Sequence, residues 1–225
     1  MHNASFVRSR QLSKERDIWT YYFTSPSGFS YLAGQYIETV LPHAGMDNRG
    51  DRRTFTLSSS PTEDLLAITL DFPKNCSSYK RALRALLPGD VLTIGEPMGD
   101  LVLPIDQSRP LIFIAGGLGI ASYRGMLKEC IDTKQQRAIQ LHYALKNTDE
   151  QLFDDVLTAS AAQIERYVSG ERRFDAAQLA SVTPKNAQYY ISGSEQFVLS
   201  VRGSLMQSGV LSTEVVFDYF EGYDD

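Results

Sequence analysis

The run Leu111-Ile-Phe-Ile-Ala115 carries no polar side chain and ends directly on Gly116-Gly117-Leu118-Gly119. An unbroken apolar segment leaves no face for water, so it reads as a strand buried on both sides, as in a parallel sheet covered by helices. The glycines let the chain turn sharply into a helix and bring bare backbone close to whatever lies above the sheet. The same alternation continues downstream. A helix is predicted from Ala121 to about Thr133, then strand Ala138–Ala144, helix Asp149–Ala161 and a short strand Ile164–Val168. Helix Asp175–Ser181, strand Gln188–Ser192, helix Ser194–Gln207 and strand Glu214–Phe217 complete it. Strands alternating with helices imply βαβ units and a parallel sheet with helices on both faces.

Upstream the pattern is different. Ser5–Leu12, Ile18–Thr24, Gln35–Leu41, Arg53–Ser59, Leu66–Asp71 and Asp90–Glu96 are short, rich in β-branched and aromatic residues, and separated by turn clusters. Six such runs suit a small antiparallel barrel, which leaves no exposed sheet edge. One helical pattern interrupts them, Ser78–Leu87, with Ser77 or Ser78 as N-cap and Pro88-Gly89 as its stop. The change falls around Pro104–Pro110, so a 225-residue chain divides into 1–105, a six-stranded antiparallel barrel, and 106–225, a parallel-sheet α/β domain.

Composition excludes several classes. A formal charge of −5, from 22 basic and 27 acidic residues, argues against a nucleic-acid footprint and leaves a basic partner protein open. No apolar stretch approaches the roughly 20 residues a membrane span needs. The start, Met1 to Arg8, lacks the apolar core of a signal peptide, so a cytoplasmic protein is expected. Cys76 and Cys130, the only cysteines, read as reduced structural thiols. They cannot ligate a four-cysteine iron–sulfur cluster or make a zinc ribbon, so any iron–sulfur centre is expected on another molecule. His2, His43 and His142 make no metal-ligand spacing, and no Ser/His/Asp arrangement supports hydrolysis.

Four segments can carry chemistry. In Arg53-Thr54-Phe55-Thr56, alternation puts Arg53 and Phe55 on one face of a strand. Arginine is shaped to hold a phosphate, and an aromatic ring two residues on can pack flat on a second ring system. Thr56 and Ser58 offer hydroxyls to ring nitrogens or a ribityl chain. Ordinary surface-and-core alternation would look the same. Ser77 and Ser78 open a helix, where backbone N–H groups can hold an anion or the serines can simply cap. Gly116-Gly117-Leu118-Gly119 and Ser192-Gly193-Ser194 each sit between a strand and a helix, and both turns converge on one crevice. The full dinucleotide fingerprint is missing, since Ser122 holds its third glycine position, and no acid ends the next strand. Lys146 stands there, either as an exposed lysine or as a contact for a 2′-phosphate. The aromatic ending Phe217-Asp-Tyr-Phe-Glu-Gly-Tyr223 is core packing or a tail that returns over a ring.

Along nearly its whole length the chain resembles the ferredoxin–NADP reductase superfamily, as a stand-alone bacterial-type member without an iron–sulfur domain. Arg53-Thr-Phe-Thr56 is similar to the flavin motif Arg-x-Tyr/Phe-Ser/Thr, and Asn75-Cys-Ser-Ser-Tyr79 to the turn into the pyrophosphate helix. Gly95-Glu-Pro-Met-Gly99 resembles the turn near the end of the flavin domain. Gly116 to Met126 resembles the nucleotide-domain signature Gly-Gly-x-Gly-Ile-Thr-Pro-Phe-x-Ser-Met. The resemblance implies FAD held by Arg53, Phe55, Thr56, Leu57, Ser58 and Leu70, by Ser77, Ser78 and Tyr79, and covered by Phe220 and Tyr223. It implies NADPH or NADH at Gly116, Gly117, Gly119 and Ile120, at Tyr143 and Lys146, and at Ser192, Gly193 and Ser194. Thr56 and Ser192 would be the catalytic pair, and a one-electron carrier such as ferredoxin or flavodoxin the acceptor. No metal is implied. Where the family has Thr-Pro this chain has Ala121-Ser122, and where it has Cys-Gly-Pro this chain has Ser192-Gly193-Ser194. Those departures bear on nucleotide turnover more than on flavin binding. They leave two other readings: a flavin-binding regulatory module with weak or lost turnover, or a reductase of free flavin or ferric chelates.

Overall fold

The structure, a computed structural model, describes residues 1–147 and 152–220. Its first six strands are β1 His2–Ser13, β2 Ile18–Thr24, β3 Tyr36–Val40, β4 Arg52–Thr56, β5 Leu65–Asp71 and β6 Val91–Ile94. They form one antiparallel sheet in the order β4-β3-β6-β1-β2-β5. Side chains alternate across each strand, so Tyr21, Phe23, Ile37, Leu66, Ile68 and Leu70 fill one core. Thr20 and Thr69, offset by one residue, occupy the opposite face. The sheet curls until its ends meet just beyond β4, where Leu57 bridges Ile68 and Ser58 N donates to Ala67 O at 2.8 Å. The expected barrel is thus closed by a bridge rather than a full ladder. Helix α1, Ser78–Arg84, inserts Tyr79 and Leu83 into the barrel core. It stops short of the predicted Leu87, which is 69% exposed and gives the last turn nothing to bury.

The second half is the predicted alternation: β7 Leu111–Gly116, α2 Ile120–Thr133, β8 Ile139–Leu145, α3 Asp154–Ala159 and β9 Gln163–Val168. Then come α4 Ala176–Val182, β10 Gln188–Ser194, α5 Glu195–Gln207 and β11 Val215–Phe220. The five strands are parallel in the order β11-β10-β7-β8-β9. The chain winds outward in both directions from β7, so the crevice between β7 and β10 is the switch point where such sheets bind ligands. Phe113, Tyr123, Leu141 and Tyr143 pack on one face of this sheet, and Ile112, Ile114, Val198 and Leu205 on the other. Helix α3 is shorter than the predicted Asp149–Ala161. Phe153 turns left-handed (φ 63) immediately before it, and residues 148–151 lie outside the described part. Among the described residues no helix is long and apolar enough to cross a membrane.

The two sheets are tied together at α2. Arg124 forms a two-pronged ion pair with Glu63, between β4 and β5, and donates to Ser58 O at 3.2 Å. The next residue, Gly125, lies against the same segment, where a Cβ would fall 2.7 Å from Ser59 O. The outer face of the barrel is thereby held over the C-terminal ends of the parallel strands.

Candidate functional site

A cavity of about 370 Å³ lies between the sheets. Arg49, Arg53, Ser77 and Lys80 line its barrel end, and Leu118, Ala121, Phe217, Asp218 and Tyr219 its parallel-sheet end. Thr54, Phe55, Thr56 and Thr69 lie along the wall between them.

The barrel end is cationic. Arg53 Nη1 donates to the carbonyls of Arg49 (2.8 Å), Gly50 (3.3 Å) and Arg52 (2.5 Å), which fixes the guanidinium against its own loop. Its Nη2 is buried without a hydrogen-bond partner, 3.5 Å from Asp47 Oδ1. Lys80 Nζ bonds Asp71 Oδ1 at 2.9 Å. The two serines of the helix start divide their roles. Ser77 caps α1 by accepting from Lys80 N and lines the cavity. Ser78 is claimed by Asp47: its N–H donates to Asp47 Oδ2 at 2.8 Å, and its hydroxyl oxygen accepts from Asp47 N at 3.0 Å. Hydrogen bonds from Ser78, first of all its backbone N–H, bring the Asp47 carboxyl down to about 2. Arg53, Lys80 and the cap serine Ser77, which all line the cavity, form a donor set that fits a phosphate.

The middle of the wall is aromatic and hydroxylic. Phe55 sits 6.0 Å from Tyr79, tilted by 37°, and Thr56 is nearly buried. Leu57, Leu70 and Tyr79 face the barrel core instead, with Tyr79 OH 2.6 Å from Thr39 Oγ1. The alternation that turns Thr69 outward turns Leu70 inward, so among these three only backbone can reach a ligand. Ser58 points its hydroxyl at Thr69, 2.9 Å away, and borders a second cavity.

At the parallel-sheet end the glycines answer first to the protein's own packing. A Cβ on Gly119 would fall 2.1 Å from Ser192 O, and one on Gly116 would fall 2.7 Å from the Phe197 ring. Gly193 backs onto that same ring. At Gly117 a Cβ would meet only Arg16 Nη1, at an ordinary 3.6 Å, so there the left-handed turn (φ 53), not packing, asks for glycine. Ser194 caps α5. Ser192 is fully buried with its hydroxyl 3.4 Å from that of Ser122, so the residue that departs from the usual proline becomes the partner of the one that departs from cysteine. Ile120 and Tyr143 are wholly buried in the core and offer no side-chain surface to a nucleotide. Lys146 is exposed just past β8. The Phe220 backbone pairs with Ser194, and Tyr223 lies outside the described residues.

Sequence reasoning missed Asp218. It pairs in register with Ser192 across β10 and β11, lines the cavity, and burial raises its carboxyl to about 6. The signal was present: a lone carboxylate in the middle of the otherwise apolar strand Val-Val-Phe-Asp-Tyr-Phe. Arg49, Thr69 and Lys80 were missed as well, because no local pattern marks which outward residues meet the second sheet.

Residues 113–192 match the profile of the oxidoreductase NAD-binding domain, spanning β7 to the end of the switch-point crevice. The chain is 23% identical to a flavohemoprotein of Oceanobacillus iheyensis over 94% of its own length. The profile match lies within the parallel-sheet half of the chain and leaves the barrel uncovered. Among the solved structures that share this chain's fold are a nitric oxide dioxygenase domain and a ferredoxin NADP+ reductase. The flavohem-like FAD/NAD-binding domain of Vibrio cholerae nitric oxide dioxygenase superposes with a TM-score of 0.81 at 17% identity, covering 97% of this chain and 98% of that one. A Neisseria gonorrhoeae ferredoxin NADP+ reductase with bound FAD and NADP gives 0.80 at 15% identity, covering 96% and 97%. The chain spans only 57% of the length of the Oceanobacillus protein.

Proposed function

We propose that the chain is a flavoprotein oxidoreductase that passes electrons from NAD(P)H through FAD to a one-electron carrier, residues 1–105 holding the flavin and 106–225 the nucleotide. The cavity between the sheets carries this reading: Arg53, Ser77 and Lys80 line one end, and Leu118 and Ala121, from the turn and helix that follow β7, line the other. FAD, when bound, takes up two electrons with hydride from the nicotinamide and releases them singly. The residues do the rest. Arg53, Lys80 and Ser77 hold the pyrophosphate, which favours FAD over FMN because FMN has only one phosphate. Phe55 flanks the ring, Thr56 and Thr69 present hydroxyls to it, and Phe217 and Tyr219 keep water out. Gly117 leaves room for the nucleotide, and Lys146 favours a 2′-phosphate. Asp218, whose carboxyl burial raises to about 6, stands in register with Ser192 at the end of the cavity where a nicotinamide would dock.

The two free cysteines fit a reducing, cytoplasmic setting. A small electron-transfer protein is the acceptor favoured here, and the flavohemoprotein relatives make a haem centre a second acceptor class. The Ser122–Ser192 pair and Ala121 favour a slower donor step, and at its limit a flavin-binding module without turnover. Steady-state reduction of cytochrome c or ferricyanide by NADPH, compared with NADH, tests the reading. Turnover with either nucleotide that stops when FAD is removed supports it; flavin-loaded protein that reduces neither acceptor overturns it.

A further inference from the structure

Three hydroxyls on the outer face of the barrel form a cluster. Thr20 on β2 and Thr69 on β5 are cross-strand partners with their Oγ1 atoms 2.9 Å apart. Ser58 Oγ lies 2.9 Å from the same Thr69 oxygen. At both contacts either oxygen can be the donor. Thr69 lines the cavity between the sheets. Thr20 and Ser58, exposed by 2% and 1%, border a second cavity of about 210 Å³.

A hydroxyl owns one hydrogen and two lone pairs. If Thr20 and Ser58 both donate to Thr69, its lone pairs are used and its hydrogen is left for the cavity. If Thr69 donates to either neighbour, it keeps a lone pair for the cavity instead. The two states differ only by rotation of hydroxyl hydrogens, with every heavy atom in place. Arginine, lysine and backbone N–H groups cannot do this, because they only donate.

We propose that Thr69 is a reversible hydrogen-bond contact to the edge of the redox ring, donating to a bare ring nitrogen and accepting from that nitrogen once it carries hydrogen. Thr20 and Ser58 are the positioning residues that set its polarity. The inference rests on the flavoprotein reading above. A ring nitrogen that gains hydrogen on reduction changes from acceptor to donor, so a donor-only wall would stabilise the oxidised ring alone. A wall that reverses stabilises both.

The test is the dissociation constant of FAD from the oxidised and from the reduced protein, the second obtained from the first and the midpoint potential. Thr69→Val should weaken binding in both states by about the same factor, roughly tenfold for one lost hydrogen bond, while Thr69→Ser keeps both constants. Thr20→Val and Ser58→Ala should each give a smaller loss in both states, and neither should add to Thr69→Val in the double variant. A loss confined to one redox state, which shows as a shifted midpoint potential, no loss in either state, or a Thr20→Val effect that persists without the Thr69 hydroxyl, overturns the proposal. Should valine at 69 prevent folding, Thr69→Ala carries the same comparison. Protein that binds no FAD at all overturns the flavoprotein reading and this inference together. Protein that binds and reduces FAD but is insensitive at position 69 overturns this inference alone.

Discussion

Gly119 lies directly against the backbone of Ser192, so close that a Cβ at 119 would come within 2.1 Å of the Ser192 carbonyl oxygen. This contact draws the turn after β7 onto the end of β10 and builds the crevice between them. Gly119→Ala must push turn and strand apart, and overpacking of this kind costs about 1–3 kcal/mol. Urea denaturation should show a lower midpoint at unchanged slope, together with weaker NADPH binding. A midpoint equal to wild type would mean that the turn and the strand are not in contact.

Arg53→Ala should weaken flavin retention. It removes a guanidinium that lines the cavity, and a charge-assisted hydrogen bond contributes about 1.5–3 kcal/mol, so the flavin dissociation constant should rise roughly 10- to 100-fold. Fluorescence of released flavin after gel filtration reads this directly. Unchanged flavin content would remove Arg53 from the phosphate site.

Asp218 should leave a mark on the pH dependence of stability in the flavin-free protein. Its folded pKa of about 6 lies above the ordinary 3.8, because burial favours the protonated carboxyl. The folded state therefore binds more protons in that window. The stability this group supports is complete below about pH 4 and is lost as pH rises through 6, an effect of about 1–2 kcal/mol once partial solvent contact is allowed for. Asp218→Asn should abolish that component. Urea titrations between pH 4 and 7 in which the difference between wild type and variant stays constant would show that the carboxyl is not buried.

Lys146→Ala should raise the Michaelis constant for NADPH roughly two- to fivefold, since an exposed ion pair contributes at most about 1 kcal/mol, and leave that for NADH unchanged. Equal effects on both nucleotides would take the 2′-phosphate away from Lys146.

Much of the architecture was legible because periodicity reports burial. The period-2 runs of the first half and the unbroken apolar run Leu111–Ala115 each fix how many faces of a strand are covered, and that decides antiparallel barrel against parallel sheet. Arg53, Ser77 and the glycine turns were legible as candidates because their chemistry is unusual at a strand or helix end. What escaped depends on contacts between distant segments. Nothing local says that Asp47 claims Ser78, or that Gly119 is needed by Ser192. Tyr143 looked like a ligand contact but fills the core, since a strand covered on both faces has no exposed side to spare. Thr69 and Asp218 become site residues only when the barrel wall is set over the ends of β10 and β11. The short α3 was hidden by one left-handed residue, Phe153, a conformation no propensity predicts for phenylalanine.

In the proposed function, the cavity between the sheets brings a flavin and a nicotinamide together. The most direct test is the anaerobic absorbance spectrum of the FAD-loaded protein before and after stoichiometric NADPH, and then NADH. Loss of the oxidised flavin bands, faster with NADPH, is the predicted result. A bound flavin that stays oxidised with both nucleotides would contradict it.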